Sequence, residues 1–139
     1  MNISLDSSIF KDTNFLIWLE VNKERFSISI SVVVYIETLL WYLFMGLSEK
    51  TFEEIIEKLE VDVVPVSEEI GRIVAITAKA YNKQLPFKHH ARDYIIGITA
   101  ITTQSEVFLT YNKKHYEWLN EKGISVMTPE EFLESVASE

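Results

Sequence analysis

The chain of 139 residues has no cysteine, four glycines and three prolines. Without cysteine there is no disulfide framework and no thiolate metal site. With so few glycines, and none in a phosphate-cradling run, a nucleotide-cofactor loop is a poor reading. No basic segment followed by an apolar core opens the chain, so no signal peptide is expected, and a cytoplasmic location fits. The longest apolar stretch, Val32 to Met45, is interrupted by Glu37 and falls short of the roughly 20 residues a membrane span needs. There is no internal repeat and no low-complexity segment.

What is there describes a folded domain. Hydrophobic residues make up 47% of the chain against 24% charged, which places it among globular proteins and excludes disorder. The length fits one domain, residues 1–139, with a substantial core. Net charge is −8, which argues against simple electrostatic capture of nucleic acid. The charge is unevenly spread, however. Residues 47–70 carry eight acids against Lys50 and Lys58, whereas residues 71–120 carry seven basic residues against Asp93, Glu106 and Glu117. From Lys79 to Arg92 there is no acid. Local positive charge can hold phosphates on an acidic protein, although a solvated face is the commoner explanation.

Periodicity alternates strand with helix. Ile3–Leu5 reads as a strand, Asn14–Val21 as a helix capped by Asp12 or Thr13, and Phe26–Ser31 as a strictly alternating strand. Ser31 caps an apolar helix, Val32–Met45, that Gly46 ends. Ser48 begins a helix to Glu60 with an acidic outer face and no capping box. Val61–Val66, with Pro65, reads as an edge strand. A helix follows from Ser67 to about Lys83, its inner face Ile70, Ile73, Val74, Thr77, Ala78 and Tyr81. Residues 85–92 read as a loop. Ala91–Thr103 is a helix, Glu106–Thr110 a strand, Lys113–Glu121 a helix closed by Gly123, Ile124–Met127 a strand, and Pro129–Val136 a helix capped by Thr128. This order predicts a three-layer α/β/α sandwich around a mostly parallel sheet of four to five strands.

Three acids sit awkwardly in that plan. Glu37 interrupts a helix that is apolar on every face, which reads as a buried helix. A buried carboxylate is costly unless paired or bound to a cation. Asp6 ends the first strand, and Asp93 opens an apolar helix whose Gly97 and Ala100 would allow close approach to the sheet. Parallel sheets bind ligands outside the carboxyl ends of their strands. Asp6, Glu37, Asp93 and Asn112 can all reach that edge, and the three acids point to one shared cation site. Taken singly, Asp6 reads equally well as a turn residue, Asp93 as a helix-end charge, and Glu37 as the partner of a buried Arg72 or Arg92. His89 and His90 read as a solvated loop pair and His115 as a surface residue. Trp18, Trp41, Tyr42 and Phe44 read as core or partner-contact residues, not as platforms for bases.

Four blocks in order, Leu5-Asp6-Ser7-Ser8, the Glu37 helix, Arg92-Asp93-Tyr94-Ile95-Ile96-Gly97-Ile98-Thr99-Ala100 and Leu109-Thr110-Tyr111-Asn112-Lys113-Lys114-His115-Tyr116, resemble a PIN domain. The nearest group is the VapC-like toxins of toxin–antitoxin pairs. The resemblance spans nearly the whole chain. It implies a Mg²⁺- or Mn²⁺-dependent endoribonuclease in which Asp6, Glu37, Asp93 and Asn112 are catalytic and Asp6, Glu37 and Asp93 hold metal. Ser8 and Thr110 would support them. Asn112 stands where many relatives carry Asp, which weakens a second metal site. Lys88, Arg92, Lys113 and Lys114 are the candidates for RNA phosphates. The resemblance also implies a homodimer and a cognate antitoxin, for which Trp41, Tyr42, Phe44, Met45 and Phe52 could build a surface. Two other readings remain: a catalytically degenerate PIN-fold module that binds RNA or protein, and a receiver-like domain holding a regulatory Mg²⁺. A receiver wants paired acids near the first strand, and none are present.

Overall fold

The computed structural model describes residues 1–138. Its centre is a five-stranded sheet of β1 (Asn2–Leu5), β2 (Ser27–Ser31), β3 (Asp62–Val64), β4 (Val107–Leu109) and β5 (Ser125–Met127), in the order β3-β2-β1-β4-β5. Every pairing is parallel. The two outermost strands are three residues each, and Pro65 follows directly on the β3 edge, where it costs no ladder bond. In β1, Ile3, Ser4 and Leu5 are all buried. Successive residues of a strand face opposite sides, so both faces of the sheet are covered.

Six helices do the covering: α1 (Thr13–Val21), α2 (Val32–Phe44), α3 (Glu49–Lys58), α4 (Glu68–Tyr81), α5 (Phe87–Thr102) and α6 (Pro129–Ala137). Their starts follow from local chemistry. Asp12, Ser31, Ser48, Ser67 and Thr128 each accept a backbone N–H with their side chains at a helix N-terminus. Thr128 and Glu131 complete a reciprocal capping box. Gly46 and Gly123 take left-handed φ values of 79° and 85° just beyond a helical segment, conformations that cost other residues more. The core joins the sheet to these helices through Phe10, Phe52, Tyr94, Phe108, Tyr116 and Phe132, all fully or almost fully buried.

Four expectations are revised. Residues 87–90, read as part of a loop before the helix from Ala91, form the first turn of α5, which kinks at His90 (φ −131°, ψ 22°). Lys113–Glu121, read as one helix, instead folds as two 3-10 segments, Lys113–His115 and Glu117–Lys122. Their apolar residues do not recur at the 3.6 period, so no stripe sustains a longer α-helix. Gly97 faces not the sheet but the second of these segments: a Cβ there would lie 2.5 Å from Cζ2 of Trp118.

The fourth revision concerns α2, which is not a buried helix. Val34, Thr38 and Tyr42 face inward. Ile36, Leu40, Leu43 and Phe44 are exposed, Phe44 by 80%. Phe52 and Tyr42, expected on a partner surface, lie in the core instead. Apolarity on all sides is the same whether protein or a partner covers the helix, and only placement at the rim of the sheet separates the two.

Candidate metal and nucleic-acid site

The carboxyl ends of β1, β2 and β4 open on the same edge, and the acids gather there. Asp6 follows β1 directly; its backbone N–H donates to the carbonyl of Leu109 at the end of β4. Glu37 comes from α2, which starts as β2 ends. Asp93 lies just after the kink in α5, a helix that packs over β2 and against α2. Asp6 and Asp93 are each only 2% exposed. Glu37 departs from the expected full burial, with a third of its side chain exposed.

One cation already joins the three. The Arg92 guanidinium grips Glu37 through two bonds, Nε to Oε2 at 2.5 Å and Nη2 to Oε1 at 2.6 Å. Its Nη1 donates to Asp93 Oδ1 at 2.6 Å, and its Nη2 lies 3.4 Å from Asp6 Oδ1. The fork geometry of arginine suits such two-pronged contacts. Hydrogen bonding to Glu37, more than any other influence, pushes the Arg92 pKa upward, with burial opposing it, so the guanidinium stays charged. Arg92, assigned from sequence to phosphate contact, therefore sits inside the acid cluster, and Glu37 has the arginine partner that its position also allowed.

Buried neighbours fix the acids. Thr110 Oγ1 donates to Asp6 Oδ2 at 2.9 Å and accepts the Asn112 N–H at 2.9 Å. Ser8 Oγ lies 3.3 Å from the same Asp6 oxygen and accepts the Tyr111 N–H. The Tyr116 hydroxyl donates to Asp93 Oδ1 at 3.0 Å and lies 3.5 Å from Asp6 Oδ1. Burial first, then the charges of Asp6 and Asp93, push the Tyr116 pKa well above its ordinary value, so it remains a proton donor. Tyr116 was not among the residues picked from sequence. Its place beside two acids depends on the 3-10 turn that precedes it, which has no local periodic signal.

The remaining candidates lie around this centre. Asn112 meets the cluster through its backbone; its side chain is exposed and makes no hydrogen bond among the described residues. Lys88 and Lys114 are exposed. Lys113 is tied to Glu131 at 2.9 and 3.0 Å. Histidines read as solvent-facing are instead half-buried against Asp93: His90 Nδ1 is 2.9 Å and His115 Nδ1 is 3.4 Å from Asp93 Oδ2. His90 stands three residues before Asp93, a spacing that brings helical side chains together. His115 arrives from a distant segment, which no local pattern announces.

The donor set fits a hard divalent cation. Three carboxylates converge on a single positive group, and two of them are buried, where negative charge requires a cation. Asp6, Glu37 and Asp93 offer the oxygen ligands such ions take.

The fold and site thus define a PIN-like α/β domain with an acidic cluster at the carboxyl edge of its sheet. A chain in the crystal structure of VapBC2 from Rickettsia felis bound to a DNA fragment from their promoter superposes with a TM-score of 0.60, at 17% sequence identity. The match covers 92% of this chain and 98% of that one. No family model and no curated protein matches the sequence. Among the described residues no helix is long and apolar enough to cross a membrane.

Proposed function

We propose that the protein is a VapC-like PIN endoribonuclease that hydrolyses RNA phosphodiester bonds with Mg²⁺ or Mn²⁺. The observation that carries this reading is the meeting of Asp6, Glu37 and Asp93, remote in sequence, around one cationic centre. The VapBC2 likeness supports the fold on which that chemistry would run. Asp6, Glu37 and Asp93 would hold the ion, with Asn112 at the rim of the site. When bound, such an ion would lower the pKa of a water and neutralise charge at the phosphate.

The chain's own groups do the rest. Thr110, Ser8 and Tyr116 hold Asp6 and Asp93 in place, so those carboxylates need no rearrangement to bind. Arg92 neutralises the acids, the role that a bound divalent ion would otherwise fill. Its side chain is 35% exposed, which leaves it room to turn toward a phosphate. Lys88 and Lys114 extend positive charge outward from the site, and such contacts position a backbone without reading sequence.

The exposed apolar face of α2, formed by Ile36, Leu40, Leu43 and Phe44, is the surface we assign to a second copy of the chain or to a cognate antitoxin. Exposed apolar patches of this kind mark protein contacts. A catalytically degenerate module is the second reading, favoured by the Arg92 clamp and by Asn112 in place of an acid.

The test is cleavage of mixed cellular RNA with Mn²⁺, with EDTA, and by Asp6→Asn. Cleavage should require metal and fall by at least about a hundredfold in the variant, the scale of a lost group that stabilises transition-state charge. Metal-independent cleavage, or an Asp6→Asn protein as active as wild type, would remove the mechanism. Inactivity on every RNA would favour the degenerate module.

A further inference from the structure

We propose that His90, Asp93 and His115 form a second metal site, selective for a borderline transition ion of the Zn²⁺ or Co²⁺ class and joined to the carboxylate site through Asp93. One donor atom from each of His90, Asp93 and His115 lies within 4.8 Å of the other two. Imidazole nitrogen suits Zn²⁺ and Co²⁺, whereas Mg²⁺ prefers oxygen.

Distances favour this reading. An ion held at roughly 2.0–2.1 Å places neighbouring ligands about 3.0–3.4 Å apart, in octahedral or tetrahedral arrangement. The two edges to Asp93 Oδ2 measure 2.9 Å and 3.4 Å. The imidazoles approach edge to face, ring centres 5.1 Å apart, so both can turn a nitrogen to one point.

A second observation is independent of the spacing. The Nδ1 atom of His115 is buried and has no hydrogen-bond partner among the described residues. Buried polar atoms are almost always satisfied. A purely structural role accounts for His90, which is hydrogen-bonded to Asp93, whereas His115 Nδ1 stands 3.4 Å from the same carboxylate oxygen without a hydrogen bond to it. A shared cation satisfies it.

The two oxygens of Asp93 divide the work. Oδ1 faces Arg92 and Tyr116, on the side of Asp6. Oδ2 faces the two histidines. A carboxylate so placed serves two neighbouring cation sites at once. The three protein donors leave a coordination position for water or a phosphate oxygen, as in open zinc sites.

Binding can be measured without RNA and without activity. The full chain, stripped with chelator, is titrated with Zn²⁺ by calorimetry and with Co²⁺ by visible absorption, alongside His90→Ala, His115→Ala and the neighbouring His89→Ala. One Zn²⁺ per chain should bind with affinity reduced at least about tenfold in His90→Ala and His115→Ala and unchanged in His89→Ala. Glu37→Gln should lose Mg²⁺ binding yet keep the Co²⁺ spectrum, which separates this site from the carboxylate site. Imidazole nitrogen NMR of the unaltered protein guards against misfolded variants: Zn²⁺ should shift His90 and His115 and spare His89. Zn²⁺ binding that is equal in all three histidine variants, or histidine resonances that Zn²⁺ leaves in place, would overturn the proposal.

Discussion

Removing Arg92 probes the acid cluster from its centre. In Arg92→Ala, the buried carboxylates of Asp6 and Asp93 and the partly exposed Glu37 lose their common partner. Breaking a buried pair from one side costs about 3–5 kcal/mol. Arg92 and Glu37 are each about one-third exposed, at 35% and 33%, so solvent screens part of that cost. We expect a loss of about 2 kcal/mol in EDTA, on the order of a thirtyfold fall in the folding constant. Divalent ions should restore it. An ion at a hundred times its dissociation constant adds about 2.7 kcal/mol, and in the variant no guanidinium competes for the same oxygens. Wild type should gain less from the same ion, because its carboxylates are already neutralised. Urea denaturation of both proteins, in EDTA and in excess Mg²⁺, reads all four stabilities. A variant equally unstable with and without Mg²⁺, or a wild type that gains as much as the variant, would refute the idea that Arg92 stands in for a cation.

Two predictions concern other parts of the framework. Gly97→Ala places a Cβ 2.5 Å from the Trp118 ring; overpacking of this kind costs about 1–3 kcal/mol, readable as a lower urea midpoint with an unchanged slope. The Tyr116 pKa is raised by burial and by two nearby acids, so the folded state holds the phenolic proton more tightly than the unfolded chain. The stability this gives is complete below pH about 10, the ordinary tyrosine value, and is lost as pH rises beyond it. Wild type should therefore lose stability above that pH faster than Tyr116→Phe, and parallel curves would contradict the assignment.

Much of this architecture is written locally. The capping residues Asp12, Ser31, Ser48, Ser67 and Thr128, and the alternation in β2, announce helix starts and a strand within a few residues. They suffice to order a parallel sheet and so to bring Asp6, Glu37 and Asp93 to one edge. Features that depend on distant neighbours are less visible. The 3-10 turns around His115 and Tyr116 follow from packing against α5, not from a periodic stripe. The helical residues before the His90 kink lie between Pro86 and a break in backbone geometry, and so resemble a loop. Arg92 stands next to Asp93 in sequence, yet its bond to Glu37 depends on how α2 and α5 meet. His115 reaches Asp93 from another element altogether. The exposed face of α2 is hidden for a different reason: its Ile36, Leu40, Leu43 and Phe44 have the composition of a core although they are exposed.

A crystal grown with Mn²⁺ and read by anomalous scattering asks most directly whether these acids exist to hold a metal. A peak between Asp6, Glu37 and Asp93, with the Arg92 side chain swung off the carboxylates, is the result expected. Full-strength Arg92 contacts to all three acids, and no peak among them at saturating Mn²⁺, would leave an ion-paired structural cluster in place of a metal centre.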